Sequence, residues 1–237
     1  MLGVRVDCLD ALAALHRIEA MLDQGGHHQV VTVNPEFVMR AQNDREFARV
    51  IEQAALCLAD GVGVVWAMRR QGCRLQHPVT GSDLVAPLAE LCQRRGRRLF
   101  LLGAKPGIAP AVAGLLRARF PSLEVAAHGG SPGPADDEET LHLIHEHRTD
   151  ALLVAYGAPQ QDLWIDRLKG QLGVSVAIGV GGAFDFVAGR VPRAPEWMRR
   201  AGLEWLHRLV RQPWRIKRMA VLPVYAFKVL GAGRADQ

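Results

Sequence analysis

The sequence predicts an α/β fold in which a mainly parallel β-sheet carries helices on both faces. Two observations support this. Short apolar runs alternate with amphipathic helical patterns over residues 1–189, which is typical of parallel sheets built from βαβ units. Glycines and polar residues follow most of these runs, at the edge where such sheets bind ligands. We therefore predict a Rossmann-like domain at 1–189, followed at 190–237 by a helical appendage of basic and aromatic residues.

The chain is long and apolar enough to bury one full core. It has 237 residues, of which 49% are hydrophobic, and a chain of this size buries most of the surface that its unfolded form exposes. The net charge of +5 is concentrated at one end, because residues 190–237 hold eleven Lys or Arg and three acidic residues. The rest of the chain is therefore net negative, and the basic character is local.

Cysteine usage indicates a reducing compartment. The four cysteines are widely spaced and form no C-x-x-C pair: Cys8, Cys57, Cys73 and Cys92. We expect reduced core thiols rather than a disulfide framework or a zinc site. Charged residues at Arg5, Asp7 and Asp10 argue against a secretion signal, and no apolar run is long enough to cross a membrane. We therefore expect a cytoplasmic protein.

The first half of the chain shows clear start and stop signals for helices. Asp10 can cap the first helix, the glycines after it end it, and Pro35 fits the first turn of the next. A cap at 81–83 begins a later helix, which Gly96 closes. The predicted strands are at 3–6, 29–34 and 56–59, and the predicted helices are at 10–22, 35–51, 64–70 and 81–95.

The second half repeats the same alternation of strands and helices. One long turn-rich stretch, at 129–137, interrupts it with glycine and proline. The predicted strands are at 98–102, 123–127, 151–156 and 174–180, and the predicted helices are at 107–120, 137–147 and 161–169.

Residues that follow the predicted strands are candidate substrate ligands. Asp60 stands beside glycines that let a ligand approach, which suits a general base or a ligand to a sugar hydroxyl. Gln161 could hold a hydroxyl or a phosphate without adding charge, and Asp185 could bond a ribose or a base. The full set of candidates is Thr32, Asn34, Asp60, Gly61, Gly103, Gly157, Gln161, Gly182 and Asp185.

Each candidate also has a purely structural interpretation. Asp60 and Asn34 stand where a side chain can cap the next helix. Gly103 and Gly182 belong to glycine turns that match neither a dinucleotide fingerprint nor a P-loop, so a phosphate contact there would come from free N–H groups at helix starts. The nine histidines form no metal pattern, and we expect no metal site.

The segment 190–237 allows three interpretations. Its arginines alternate with Trp197, Trp205 and Trp214, and an apolar stretch at 219–227 ends at Lys228. Such a segment can lie on an anionic membrane surface, follow nucleic-acid phosphates or pack as a solvated helical tail. The apolar stretch is too short to span a bilayer but can dip into its surface. Membrane contact is therefore favoured, and no nucleic-acid partner is expected.

Seven stretches resemble the WecG/TagA/CpsF family of bacterial glycosyltransferases (glycosyltransferase family 26), and together they cover nearly the whole chain. They are V-T-V-N-P-E-F-V at 31–38, L-A-D-G-V-G-V-V at 58–65, V-T-G-S-D-L at 79–84, F-L-L-G-A-K-P-G at 100–107, G-A-P-Q-Q-D-L-W-I at 157–165, G-V-G-G-A-F-D-F-V-A-G at 179–189 and R-A-P-E-W-M-R-R-A-G-L-E-W-L-H-R-L at 193–209. The resemblance implies transfer of a β-linked sugar from a UDP-sugar to a polyprenyl-diphosphate-linked sugar at the cytoplasmic face of the membrane.

The resemblance also implies roles for individual residues. Asp60 would be the general base, Thr32 and Gln161 would share the catalytic site, and Asp185 would contact the nucleotide. The C-terminal appendage would bring the enzyme to the membrane and supply arginines to the acceptor diphosphate. The candidate arginines are Arg193, Arg208, Arg211, Arg215 and Arg218.

Two positions depart from the family pattern. The sequence Q-H-P at 76–78 replaces a Glu-Arg pair that is expected to contact a phosphate, so Arg74 or His77 would have to substitute. The sequence G-G-S at 129–131 replaces an aromatic loop. Both changes bear on the choice of donor sugar or acceptor.

The expected function is an inverting glycosyltransferase that needs neither a metal nor a cofactor. Its donor would be of the UDP-N-acetylmannosamine, UDP-N-acetylmannosaminuronic acid or UDP-glucose type, and it would act at the inner face of the bacterial plasma membrane. The alternative is a non-catalytic nucleotide-binding protein that is recruited to the membrane. An apolar tail can also bury itself against a second chain, so a homo-oligomer stays open.

Overall fold

The computed structural model describes residues 1–195, 197–198, 203–211, 216 and 220–232. In this part of the chain, six parallel strands form one sheet in the order β2-β1-β6-β5-β3-β4. The strands are β1 (His28–Val33), β2 (Leu56–Ala59), β3 (Leu99–Gly103), β4 (Val125–His128), β5 (Ala151–Ala155) and β6 (Val176–Gly179). The predicted parallel α/β sheet is confirmed.

Helices cover both faces of the sheet, as the sequence predicts. The described helices are α1 (Ala11–Gln24), α2 (Pro35–Ala41), α3 (Arg45–Gln53), α4 (Val62–Arg70), α5 (Gly81–Arg95), α6 (Ile108–Arg119), α7 (Asp137–Glu146), α8 (Gln160–Leu168), α9 (Ala183–Val187), α10 (Glu204–Arg211) and α11 (Val221–Gly231). One face packs against α1, α5, α6 and α9. The other face packs against α2, α3, α7, α8 and α11.

The strands are apolar runs because both of their faces are buried. In β1, Val30 packs in the core beneath α1 and α5, whereas Val31 and Val33 pack in the core beneath α2 and α3. Successive side chains of a strand point to opposite faces, so a sheet that is covered on both sides needs apolar residues at consecutive positions.

Two helix starts follow the predicted capping residues, but the single helix predicted at 35–51 is divided into α2 and α3, because Asp44 caps a new helix that begins at Arg45. Asp10 accepts a hydrogen bond from the Ala13 amide at 2.9 Å, and Asn34 accepts one from the Phe37 amide at 3.0 Å. Gly96 ends α5 in the left-handed conformation. The cap of α5 itself is Thr80 rather than the predicted residues 81–83, because the Thr80 hydroxyl oxygen accepts a hydrogen bond from the Asp83 amide at 3.3 Å.

The predicted strand at 3–6 is wrong. The chain there begins in a turn, in which the Val4 amide donates to the Met1 carbonyl oxygen at 2.9 Å, and it meets the outer edge of β2 at Asp7, whose amide donates to the Cys57 carbonyl oxygen at 2.8 Å. The Cys57 amide in turn donates to the Asp7 carboxylate, also at 2.8 Å. A side-chain oxygen therefore takes the place of the backbone carbonyl that a seventh strand would offer, and a regular ladder does not form.

The prediction of four reduced core thiols is wrong for two of them. Cys8 and Cys73 form a disulfide, with Cα atoms 6.0 Å apart, between the N-terminal segment and the loop after α4. Cys57 and Cys92 are buried free thiols, as expected, and burial raises the pKa of each to about 12. Cys8 and Cys73 are 65 residues apart in the sequence, so it is the fold that brings them together.

The C-terminal helix α11 is apolar on both sides but packs against the core by one side only. Tyr225, which is 2% exposed, enters the core beneath α2, and its hydroxyl lies 3.1 Å from both the Gly63 carbonyl oxygen and the Met1 sulfur. The opposite face of α11 exposes Val224 and Phe227. The helical character of the appendage is confirmed for α10 and α11, while the domain boundary at 189/190 stays a prediction.

Among the described residues, no helix is both long enough and apolar enough to span a bilayer.

Candidate active site

The carboxyl ends of β2, β1 and β6 lie side by side and carry most of the predicted site. The Asp60 amide donates to the Val33 carbonyl oxygen at 2.8 Å, which fixes the start of the β2–α4 turn beside the end of β1. Asp60 is half-buried. Gly61 follows with a φ of +92°, a conformation that favours glycine, so the chain can turn sharply from the strand into α4. The Asp60 carboxylate therefore stands at the sheet edge where ligands bind.

Thr32 joins β1 to β6. Its side chain is 4% exposed, and its hydroxyl donates to the Gly179 carbonyl oxygen at 3.0 Å. The hydroxyl proton is thus used inside the protein, while the oxygen keeps a lone pair for a second contact. The geometry fixes the Thr32 side chain at the β1–β6 junction, and its contact with a sugar stays a prediction.

Gln161 lies beneath the turn at 180–182 that follows β6. It is 1% exposed, and its side-chain oxygen accepts a hydrogen bond from the Gly181 amide at 2.8 Å. This contact links the first turn of α8 to the loop that leads into α9. Gln161 therefore shapes the turn from below, whatever further contact it makes with a substrate.

Gly103 and Gly157 mark a second part of the sheet edge. The chain leaves β3 through α6 toward β4, and it leaves the neighbouring β5 through α8 toward β6, in the opposite direction. Two adjacent strands whose connections diverge in this way leave a crevice between them at their carboxyl ends. The Ala104 amide donates to the Ala155 carbonyl oxygen at 3.1 Å, so the pairing of β3 with β5 continues up to this edge.

Asn34, Gly182 and Asp185 sit at helix starts or within the first turn. The Asn34 side-chain oxygen caps α2, so its structural interpretation is confirmed for that atom. Gly182 precedes the short helix α9. Asp185 is half-buried in α9, and its carbonyl oxygen accepts hydrogen bonds from two later amides that end the helix. Nucleotide contact by these three residues stays a prediction.

The predicted arginines are spread over the appendage. Arg193 forms an ion pair with Asp83 in the first turn of α5. That turn is pressed against the end of β6, because a Cβ built on Gly81 would lie 2.8 Å from the Val180 Cα. Arg193 is therefore anchored beside the strand ends. Arg208 and Arg211 belong to α10, whereas Arg215 and Arg218 lie outside the described residues.

The loop that departs from the family pattern runs close to Asp60. The Val79 amide donates to the Ala59 carbonyl oxygen at 2.8 Å, and Arg69 holds the loop through the carbonyl oxygens of residues 75 and 76. Arg74 and His77 are exposed on this loop. The loop that leads to the site thus carries an exposed arginine, Arg74, although it lacks the Glu-Arg pair.

One buried carboxylate was not recognised from the sequence. Asp162, the third residue of α8, is 0% exposed, and the Gln29 side-chain amide donates to its backbone oxygen at 3.0 Å. Burial raises the pKa of its carboxyl group to about 7, and the adjacent Gln161 side chain opposes this. In the sequence, Q-Q-D reads as a solvated first turn, so no local signal marks the burial.

Within the described residues, no three His, Cys, Asp or Glu side chains come close enough together to hold a metal ion. The arrangement offers a half-buried carboxylate, and it offers the N-termini of α4, α6 and α8 at the same edge of the sheet. Free backbone N–H groups at helix N-termini attract anions, and a carboxylate at hydrogen-bonding distance can remove a proton. Together these groups can bind an anionic ligand and take up a proton beside it.

Comparison with known proteins covers the whole chain. The model of the WecG/TagA/CpsF glycosyl transferase family matches residues 1–237. The N-acetylglucosaminyldiphosphoundecaprenol N-acetyl-β-D-mannosaminyltransferase of Bacillus subtilis (strain 168) is 36% identical over 210 residues, which cover 88% of this chain and 81% of the relative. The enzyme of the same name from Staphylococcus aureus (strain MW2) is 30% identical over 236 residues, with 99% and 92% covered. The chain therefore belongs to the WecG/TagA/CpsF family of glycosyltransferases.

Proposed function

We propose that this glycosyltransferase moves an N-acetylmannosaminyl group from its UDP donor to a polyprenyl-diphosphate-linked N-acetylglucosamine, with inversion at the transferred carbon. The observation that carries the proposal is the half-buried Asp60 at the carboxyl end of β2. Among the three donor types that the sequence suggests, N-acetylmannosamine is favoured because the relatives' names specify that sugar. The same names specify the lipid-linked acceptor.

In the proposed reaction, Asp60 removes the proton from the acceptor hydroxyl. The acceptor oxygen attacks the anomeric carbon from the face opposite UDP, and a new C–O bond forms there. The bond between the anomeric carbon and the diphosphate oxygen breaks, and its electron pair leaves with UDP. Attack from the opposite face converts an α-linked donor into a β-linked product.

Two further groups of residues would complete the site. Thr32 and Gln161 position the sugars from the β1–β6 junction and the turn above it. Asn34, Gly61, Gly103, Gly157, Gly182 and Asp185 would line the nucleotide and donor end. The departing diphosphate would be stabilised by helix N-termini and arginines rather than by a metal ion, so a chelator should leave turnover unchanged.

Membrane contact belongs to the same proposal. Phe227 is 78% exposed on α11 and Val210 is 70% exposed on α10, next to the basic residues of the appendage. Apolar side chains beside arginines suit the surface of an anionic bilayer. We propose that the protein binds peripherally to the inner face of the plasma membrane, where it meets its lipid-linked acceptor.

The test is a UDP-release assay with detergent-solubilised polyprenyl-diphosphate-N-acetylglucosamine and a panel of UDP-sugars. Acceptor-dependent release from one donor is expected. Asp60→Asn should lower turnover by about 10²- to 10⁴-fold, the usual contribution of a general base, without changing UDP affinity. Asp23→Asn, which removes an exposed carboxylate at the end of α1, should behave as the unaltered protein.

Two outcomes would count against the proposal. Turnover that survives in Asp60→Asn would remove this residue as the base. UDP binding without release from any donor would favour the non-catalytic, membrane-recruited nucleotide-binding protein instead.

A further inference from the structure

A buried polar cluster lies between α8 and the strands β1 and β6. Among the described residues, six polar or charged side chains are buried, and four of them gather here: Gln29, Thr32, Gln161 and Asp162. Of these four, Asp162 alone can ionise. It is 0% exposed, so its charge state depends entirely on what the protein places around it.

The carboxyl group of Asp162 is poorly satisfied. Neither of its oxygens is in hydrogen-bond geometry with another described residue. Burial raises its pKa to about 7, although the Gln161 side chain lies close enough to oppose this. An anion in such surroundings lacks the hydrogen bonds that offset the loss of water.

The charged and titratable neighbours of Asp162 do not supply a counter-charge. Cys57 on β2 faces it, but burial keeps the pKa of that thiol near 12, so the thiol is neutral. Arg49 on α3 reaches across to α8 and pairs with Asp166 at 2.6 Å, and Lys169 pairs with Asp166 at 2.9 Å. In the described structure both cations are thus engaged one turn further along, at the surface of the helix.

Asp162 and Gln161 press on the same point of the backbone. A Cβ built on Gly179 would lie 2.5 Å from the Gln161 side-chain nitrogen and 2.6 Å from an Asp162 carboxyl oxygen. The Gln161 side-chain oxygen in turn holds the Gly181 amide. Asp162 and Gln161 therefore both lie against Gly179, and Gln161 reaches from there to the turn at 180–182.

We propose that Asp162 is a positioning residue that acts through Gln161, and that its uncharged carboxyl group keeps the Gln161 amide beneath the turn at 180–182. When the carboxyl group ionises, water must reach it. The strands β1 and β6 are held in place by backbone hydrogen bonds to their neighbours. The first turn of α8 and the turn at 180–182 are therefore the parts that must move apart to admit water. This rests on the proposed function, in which that turn belongs to the nucleotide end of the site. Donor binding should therefore weaken as the carboxyl group ionises.

The direct test follows the Gly181 amide by ¹⁵N-resolved NMR of the full chain from pH 5.5 to 8.5. Its chemical shift and exchange protection should titrate with a midpoint near 7. Asp162→Asn, which has nearly the same shape but cannot ionise, should abolish the titration. Asp166→Asn makes the same change on the same helix at a residue that is already paired with cations, and it should keep the titration.

A Gly181 signal that stays constant over this range in the unaltered protein would overturn the proposal, and this arm needs no variant that must fold. A titration that persists in Asp162→Asn would overturn it as well. With activity as the readout, the KM for the donor should rise several-fold across the range while kcat changes less, and Asp162→Asn should flatten that rise. If no sugar is transferred from any donor, the proposed function fails. The Gly181 titration would still show whether the ionisation of Asp162 acts on the turn at 180–182.

Discussion

At the residue scale, Asp162 links the stability of the fold to pH. The pKa of its carboxyl group is about 7 in the folded protein, against an ordinary value of 3.8. The folded state therefore binds this proton more tightly than the unfolded state does. Ionising the buried carboxyl group lowers the free energy of unfolding. This loss is absent at pH values below the ordinary pKa, and it grows until the pH passes the pKa of the folded protein. Between about pH 4 and pH 7 the folded protein should lose up to about 4 kcal/mol through this group.

Asp162→Asn should remove that part of the pH dependence. Urea unfolding at pH 5 and at pH 8 gives the measurement, because each protein then serves as its own reference. The loss of unfolding free energy between the two pH values should be smaller in the variant than in the unaltered protein, while Asp23→Asn should show the full loss. Equal losses in Asp162→Asn and the unaltered protein would show that Asp162 ionises without cost.

Gly179 is required because no side chain fits between β6 and α8. Gly179→Ala would place a Cβ within 2.6 Å of two buried polar atoms, and overpacking of this kind costs about 1–3 kcal/mol. Gly114→Ala is the matched control: it lies inside α6 with nothing within 4 Å of the new Cβ, so it should stabilise by about 0.5–1 kcal/mol. Thermal unfolding of the two variants should shift in opposite directions, and a stabilised Gly179→Ala would contradict the packing described for Gln161 and Asp162.

At the element scale, α11 is attached through Tyr225. Tyr225→Phe keeps the ring in the core but loses the hydroxyl contact with the Gly63 carbonyl oxygen, which should cost about 1 kcal/mol. Tyr225→Ala also removes the ring and should cost about 3–5 kcal/mol if α11 stays bound. Limited proteolysis should cut α11 free in Tyr225→Ala but leave it protected in Tyr225→Phe. Phe227→Ala, at a residue that is 78% exposed, should match the unaltered protein; equal protection in all variants would show that Tyr225 does not hold the helix.

The site could be predicted from the sequence only as far as parallel topology allows. A parallel sheet collects the carboxyl ends of its strands at one edge, so Thr32, Asp60 and Gly182 could be expected to lie at that edge before the strand order was known. The contacts beneath that edge could not be predicted. The bond from Gln161 to Gly181 and the burial of Asp162 depend on how α8 lies across β6, and no local pattern encodes that packing.

At the scale of the whole molecule, the features that could not be predicted from the sequence also depend on contacts between distant parts of the chain. Strands buried on both faces are visible as apolar runs, so the alternation that predicts the fold is local information. The insertion of β6 between β1 and β5 is long-range, and so is the meeting of Cys8 with Cys73. The error at 3–6 is of this kind too, because it depends on Asp7 reaching the edge of β2.

The disulfide makes a prediction for the entire fold. It ties residues that are 65 positions apart, and closing a loop of that length removes enough unfolded-state entropy to stabilise by about 4 kcal/mol. For a chain of this size that corresponds to roughly 10 °C in Tm. Dithiothreitol should therefore lower the Tm of the unaltered protein by about that amount.

Cys8→Ser gives the control for that measurement. Without reductant, Cys8→Ser should already have the lower Tm of the reduced unaltered protein. Dithiothreitol should not change that Tm, because Cys57 and Cys92 are buried free thiols. A Tm that is the same with and without reductant in the unaltered protein would mean that the two thiols do not pair in solution. The loop beside Asp60 would then be held by Arg69 and by the bond from Val79 to Ala59, as the sequence-based expectation of reduced cysteines requires.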